Sequence, residues 1–321
     1  MGEAPLDAIL NCVGAAERII IFGHVGPDGD TLGSALGLMW LLRARGKVAH
    51  VSFEDPLPVT FRFLPGAKEV EDRPVASHDL IIAVDGSDAD RYGNHFAAAY
   101  QATSRPHIVV IDHHKTNTYF GDLTWVDSRY TATAQMIYEL ARHARWEIDT
   151  DTATCLATGC VTDTNAFSTD HTTPDVLEVV ANLMREGAPL AHIIRHTMHL
   201  RTRADAMLWG RILSTLQVEN GIAWAISRAA DREAVGAQEG EGSGIATFLR
   251  NIIGVHIGIL FVEIDSHTVR ISMRSKPSYD VSRLAFNLGG GGHAQAAGAT
   301  LNMSLDEAVE RVVQQAKEIV Q

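Results

Sequence analysis

Four short stretches of this chain place histidines and carboxylates immediately after apolar runs. Those residue types at those spacings suit metal ligation and acid–base chemistry. The first stretch is His24, Asp28 and Asp30, with Gly29 between the two acids to let the backbone turn. The second is Asp85, at the end of Leu80–Val84. The third is Asp112, His113 and His114, after Ile108–Ile111. The fourth is Asp163, on or just past a helical pattern that includes Gly159 and Cys160. Each alone is also what an ordinary turn or helix cap looks like, since Asp, Gly and Pro are common turn residues. In an extended chain, neighbouring side chains point to opposite faces. The expectation is therefore that only one of His113 and His114 readily ligates a given ion. A carboxylate beside a histidine is the usual partner that holds its tautomer, which gives Asp112 a role.

Taken together the four stretches say more. Mixed imidazole and carboxylate donors suit Mn²⁺ or a similar transition ion better than Ca²⁺ or an all-oxygen Mg²⁺ site. Two such ions roughly 3.5–4 Å apart are the common apparatus for in-line attack on phosphorus. No cysteine accompanies the cluster, which argues against structural zinc. The expectation is two divalent metal ions, Mn²⁺ first, with Mg²⁺ or Co²⁺ as alternatives.

The elements that must position these residues are legible as alternation. Arg18–Phe22, Val48–Phe53, Leu80–Val84 and Ile108–Ile111 read as strands. Thr31–Arg45, Ala132–Arg145 and Asp151–Thr162 read as helices. This pattern predicts an α/β fold, with a mostly parallel sheet flanked by helices and ligands at the carboxyl ends of its strands. Pro189–Leu216 reads as one long helix, the connector to a smaller mixed α/β domain. The predicted organisation is residues 1–190, a helical linker at 191–214, and 215–321. His192, His196 and His199 lie at helical spacing on the connector, without the Glu of an H-E-x-x-H site, and read as a solvated or cleft-facing helix. Val255–Ile264 and Val269–Ser275 read as paired strands, Val281–Leu288 as a short helix, Ala299–Leu301 as a strand, and Leu305 onward as a helix capped by Ser304. Gly236–Gly244 reads as a mobile loop.

A length of 321 residues fits two domains, and a net charge of -12 excludes a broad basic surface for long duplex DNA. Three cysteines, none in a C-x-x-C pair, point to a reducing compartment. No leader or membrane-spanning run is evident, so the expected location is cytoplasmic, without a membrane partner. A homodimer is left open.

The second part carries Gly289-Gly290-Gly291-Gly292-His293, followed by Ala296-Ala297-Gly298. Consecutive glycines expose backbone N–H groups that can cradle a phosphate. Arg274, Ser275 and Lys276 end the preceding strand, and an arginine there can fork onto a phosphate. Arg250, Arg270 and Arg283 either extend that basic lining or are plain surface charges.

The set His24, Asp28, Asp30, Asp85, Asp112-His113-His114 and Asp163 resembles the four motifs of the DHH phosphoesterase superfamily. Gly289–His293 resembles the GGGH signature of the DHHA1 domain. The resemblance covers nearly the whole chain and is similar in size and domain order to nano-RNA exonucleases that also dephosphorylate pAp (adenosine 3′,5′-bisphosphate). It implies one ion on His24, Asp28 and Asp85, and a second on Asp30, Asp85, His113 and Asp163, with Asp85 bridging. It implies that His114 contacts the phosphate and that Asp112 orients its neighbours. It further implies that Arg274, Ser275, Gly290, Gly291, Gly292 and His293 bind substrate. The expected substrates are short RNA or DNA oligonucleotides or small nucleotides. The expected activity is a hydrolase that releases 5′-mononucleotides, or takes pAp to AMP. Enzyme alternatives are a cyclic-dinucleotide or pApA phosphodiesterase; the non-enzyme alternative is a nucleotide-binding regulatory module. A family II pyrophosphatase lacks the GGGH signature, and a RecJ-like exonuclease is longer.

Overall fold

The structure, a computed structural model, describes residues 5–237 and 240–320, and divides into two compact units, Met1–Leu200 and Arg201–Gln321. The first unit is built on five strands: β1 (Arg18–Phe22), β2 (Val48–Ser52), β3 (Leu80–Val84), β4 (His107–Asp112) and β5 (Leu123–Val126). Their order is β2-β1-β3-β4-β5, and every pairing is parallel. Chain order reverses between β1 and β3, the switch point where open α/β sheets leave a crevice beyond the strand ends. Burial explains the apolar composition: β3 is buried throughout, and β4 everywhere but His107. Such strands, covered on both faces, read as continuous apolar runs.

The helices of this unit are α1 (Pro5–Ala15), α2 (Gly29–Arg43), α3 (Gly93–Gln101), α4 (Thr133–His143), α5 (Thr150–Asp163), α6 (Pro174–Arg185) and α7 (Leu190–Ile194). Helix α2 is buried almost all round, and it meets α5 through glycines. A Cβ on Gly33 would strike the Cys155 carbonyl, and one on Gly159 would lie 2.5 Å from Asp30 Oδ1. The close approach brings the start of α2 and the end of α5 to one place.

The expected single helix over Pro189–Leu216 is corrected. Helix α7 passes into a π turn, Arg195–His199, and Leu200 is extended before α8 (Arg203–Leu213) begins. The stop is local: Thr202 caps α8, its hydroxyl accepting from Asp205 N at 2.9 Å. Arg201 and Gly242 N then hold the Asp205 carboxylate, each at 2.7 Å. The residues expected to form a separate linker are thus shared between the two units. His192 and His196 pack against each other and against Phe63 in the first unit, the Phe63–His192 contact edge-on.

The second unit has a six-stranded mixed sheet: β6 (Gln217–Glu219), β7 (Ile222–Ser227), β8 (Ile257–Asp265), β9 (Thr268–Ser275), β10 (Gly291–His293) and β11 (Ala296–Asn302). The order is β10-β11-β9-β8-β7-β6, with only β7–β8 parallel. Around it lie α9 (Ala229–Val235), α10 (Ile245–Arg250), α11 (Ser282–Asn287) and α12 (Leu305–Val320). Ser304 caps α12 as expected, and Glu307 returns the bond to Ser304 N at 3.0 Å. Of the loop expected at Gly236–Gly244, residues 238 and 239 lie outside the described residues, and Gly240–Gly244 form turns. Among the described residues no helix is long and apolar enough to cross a membrane, and all three cysteines are free thiols.

Candidate metal centre

The carboxyl ends of β1, β3 and β4 face the start of α2 and the end of α5, and there the first unit gathers its histidines and acids. Three groups of donors come within 4.8 Å of one another: His24, Asp28 and Asp85; Asp30, His113 and Asp163; and Asp85, His113 and His114. Asp85 joins the first group to the third, and His113 joins the third to the second. The separations are informative. His24 Nε2 lies 3.7 Å from both Asp28 Oδ1 and Asp85 Oδ2. His113 Nε2 lies 3.2 Å from Asp163 Oδ2, 3.5 Å from Asp85 Oδ1 and 3.9 Å from Asp30 Oδ2. Most of these gaps exceed a hydrogen bond. They suit donors that each reach about 2.0–2.2 Å toward a common cation. The donor set therefore fits divalent metal ions.

Backbone and neighbouring side chains fix the acids before any ion arrives. Asp28 is the N-cap of α2, its Oδ1 accepting from Asp30 N and Thr31 N. Asp30 is completely buried. It accepts from Ser34 Oγ at 3.2 Å, Ala134 N at 2.9 Å and Thr133 N at 2.6 Å. Helix α4 has no cap of its own, so Asp30 satisfies two of its orphan N–H groups from across the unit and meets the positive end of its dipole. Asp85 takes φ of 59°, a left-handed conformation uncommon for a side-chain-bearing residue. Its N–H donates to Ile111 O at 3.0 Å, and Thr133 Oγ1 donates to its Oδ1 at 2.9 Å. Backbone strain of this kind concentrates where a side chain must be aimed.

Strand β4 ends at Asp112, and the two histidines follow it. Both imidazoles turn toward Asp85, with ring centroids 4.5 Å apart. Their chemistry differs all the same. His114 Nδ1 is 2.7 Å from Asp112 Oδ1, so its proton is directed at that carboxylate and Nε2 stays outermost. Asn117 Nδ2 donates to the other oxygen of Asp112 at 2.7 Å and to Gly86 O at 3.1 Å. Burial works against the Asp112 charge, but the His114 bond and the Asn117 bond outweigh it and hold the carboxyl low. The same bond, against burial and with help from Asp85, lifts His114 to about 9.

Burial works against the Asp28 charge too, but its interaction with His24 holds it low; Asp30, Asp85 and Asp163 are pushed the other way. Burial and then the Asp85 charge raise Asp30 to about 8; burial and then Asp28 raise Asp85 to about 6. Asp163 is raised by burial and then by Asp30. These groups hold protons when folded that an unfolded chain has already lost. Without metal, the contribution of these three carboxyls to stability is therefore full below about pH 4, where ordinary carboxylates are protonated, and is lost as pH rises toward 8. His114 adds in the same direction, its contribution disappearing between about pH 6.5 and 9. A divalent cation displaces those protons. Thermal unfolding in EDTA should show a lower Tm at pH 8 than at pH 6. Mn²⁺ at a hundred times its dissociation constant should raise Tm by roughly 5–10 °C at pH 8, and by less at pH 6. An equal shift at both pH values would contradict this picture.

In the second unit the structure separates roles the glycine run had merged. A Cβ on Gly290 would strike the Gly298 carbonyl, and Gly292, at φ of 141°, would meet Ala296 O at 2.5 Å; β10 can pair with β11 only with glycine there. Gly291 faces open space, and His293 is exposed. Arg274 is half-buried on β9 and donates to Met273 O at 3.0 Å. Ser275 departs from the expectation. It is fully buried, and its hydroxyl donates to Tyr279 O at 2.5 Å, so it ties the loop down rather than reaching outward.

Sequence reasoning missed Thr133, which touches Asp30 through its N–H and Asp85 through its hydroxyl, and Asn117. The signal for Thr133 was faint, a threonine at a helix start; for Asn117 there was none.

Comparison with known proteins adds an independent line. Residues 18–160 match the DHH family, N-terminal domain, and residues 222–321 match the DHHA1 domain. The bifunctional oligoribonuclease and PAP phosphatase NrnA of Thermus thermophilus is 35% identical over 94% of this chain and 89% of its own. NrnA of Bacillus subtilis is 28% identical over 94% of each. Among solved structures, an exopolyphosphatase-related protein from Bacteroides fragilis superposes with a TM-score of 0.92 at 24% identity, covering 99% of this chain and 96% of that one. RecJ of Thermus thermophilus in complex with Mn²⁺ gives 0.56 at 14% identity, covering 98% of this chain and 54% of that one.

Proposed function

This chain belongs to the DHH family, and on that footing we propose that it is a two-metal phosphoesterase that hydrolyses oligonucleotides a few units long and removes phosphate from pAp. The observation that carries the reading is the pair of donor groups, His24–Asp28–Asp85 and Asp30–His113–Asp163, brought to one rim by β1, β3, β4, α2 and α5. Its relatives at 35% and 28% identity are named for these two activities.

When bound, the ions would polarise a phosphoryl oxygen and supply a water-derived nucleophile. Everything else falls to the chain. Asp30, held by three donors, and Asp85, aimed by its left-handed backbone, present fixed oxygens and need no rearrangement as charge builds. His114, kept protonated by Asp112, presents Nε2–H as a cationic donor to a non-bridging phosphate oxygen. Asn117 holds Asp112 in place. In the second unit, Arg274 and His293 are assigned to the substrate's other charged or polar groups, with the N–H of Gly291 beside them. Mn²⁺ is the proposed ion, on the mixture of imidazole and carboxylate donors.

The test is a turnover panel with Mn²⁺: pAp, pApA, cyclic di-AMP, two- to five-mer RNA and DNA, and pyrophosphate. Mononucleotides from the oligomers and inorganic phosphate from pAp are expected. Pyrophosphate cleavage alone, or release of neither product, would overturn the assignment.

A further inference from the structure

We propose that the second unit's sheet, on the face it shares with α10, carries a further phosphate-binding position, at Arg270 and Arg232, for a phosphodiester of an oligonucleotide beyond the group met by Arg274. The proposal rests on the reading of Arg274 as a substrate contact. Burial alternates along β9. Val269, Ile271, Met273 and Ser275 point into the core, so Arg270, Ser272 and Arg274 share the other face. Register shows what lies beside them. Arg274 is opposite Ala296, which is opposite His293; Ser272 is opposite Gly298; Arg270 is opposite Thr300. Directly opposed residues share a face. Small residues thus leave the floor bare between His293, Arg274 and Arg270.

A cavity of about 610 Å³ opens on this face, lined by Arg232, Arg270 and Arg274 above Leu260, Val262 and Ser272. The volume is within the range of small-molecule sites. Arg274 is four residue steps along the strand from Arg270, roughly 13 Å. Cations at the two ends, with an apolar floor between, suit a nucleoside flanked by phosphates rather than a lone anion.

Charge strengthens the case. Among the described residues neither Arg270 nor Arg274 has a carboxylate within ion-pair distance. Arg232 is tied to the Ser227 carbonyl and hydroxyl and to the Glu263 carbonyl, which fixes the fork in place. Glu241 is on the cavity rim, and its carboxylate accepts from Thr202 Oγ1. In a chain of net charge -12, Arg270 and Arg274, which among the described residues have no carboxylate at ion-pair distance, are available to a polyanion, while Arg232 is balanced in part by the charges of Glu263 and Asp231.

The experiment compares Arg270→Ala, Arg270→Glu and the unaltered protein. Binding of fluorescently labelled RNA two-mer and five-mer is followed by anisotropy in EDTA, where no turnover occurs, and turnover is followed separately with Mn²⁺. Arg270→Ala should weaken five-mer binding about tenfold, the scale of one charge-assisted hydrogen bond, and Arg270→Glu should weaken it further. The five-mer loss should exceed the two-mer loss at least several-fold, and the slope of log K against log salt should flatten by about 0.7 for the five-mer. Equal losses for both lengths, no loss for either, or inorganic phosphate occupying the site without displacing the five-mer would overturn the proposal. Arg270-dependent five-mer binding without hydrolysis would overturn the phosphoesterase reading and keep this site. Hydrolysis indifferent to Arg270 would do the reverse. Thermal unfolding of each variant separates loss of contact from loss of fold.

Discussion

Asp85→Asn is expected to abolish turnover, by on the order of 10⁴-fold in kcat, while making the metal-free protein more stable. The first half follows from position. Among the described residues Asp85 is the one carboxylate within reach of His24, His113 and His114, so it connects both donor groups, and an amide replaces its charge with a neutral oxygen. The second half follows from what the carboxylate costs the empty fold. It is buried beside Asp28 and Asp112, which push its proton affinity up, and its backbone is in a left-handed conformation. Asparagine tolerates that backbone as well as aspartate does. Its side-chain oxygen can still accept from Thr133 Oγ1, so the local bond survives while the charge is removed. Functional sites commonly give up stability in this way, and relief of about 1–2 kcal/mol, a few degrees in Tm, is expected in EDTA. Calorimetry with and without Mn²⁺, beside kcat, reads both halves. A variant less stable than the parent in EDTA would assign Asp85 to holding the fold, and residual turnover above about 1% would remove it from the reaction.

The second large effect is at His114. Replacing it with alanine should lower kcat by about 10²–10³-fold, the scale of one lost donor to developing charge, while metal content stays at the parent's level. His113 and His114 are neighbours in sequence and in space, yet their nitrogens are committed differently. His113 Nε2 points among three carboxylates, and His114 Nδ1 is bonded to Asp112. His113→Ala should therefore lose metal, and His114→Ala should not. Asp112→Asn should act through the histidine. Without its carboxylate partner the imidazole titrates closer to its ordinary value, so in metal-free protein the pKa followed by the His114 resonance should fall from about 9 toward about 6.5. Loss of bound metal in His114→Ala would make it a ligand and overturn the division of labour.

Much of this site was legible because its signals are local. A buried parallel strand reads as an apolar run, and a donor placed after such a run is delivered to the rim; His24, Asp85, Asp112 and His113 were found that way. The strand limits of β1 and β3 were read correctly, because turn residues flank both runs. Where local signals were weak or misleading, the reading failed for identifiable reasons. β5 is a four-residue edge strand, only half-buried, and offers little periodicity. The helix drawn through Pro189–Leu216 ignored Thr202 and Asp205, three residues apart, a capping pair inside an otherwise continuous helical pattern. Ser275 sits beside Arg274 and was grouped with it, yet strand alternation sends its side chain to the opposite face.

By itself, then, the sequence determined the kinds of donor, the strand ends that carry them and the two-part organisation, because periodicity, turn chemistry and ligand type are properties of short segments. Tertiary structure alone decided that Asp85 lies within reach of His24, His113 and His114, that Asp30 caps a helix starting a hundred residues later, that Thr133 and Asn117 hold the acids still, and that β9 lays Arg270 and Arg274 on one face. Those facts depend on strand order β2-β1-β3-β4-β5 and on glycine contacts between α2 and α5. Such long-range packing sets distances between segments that no local pattern encodes.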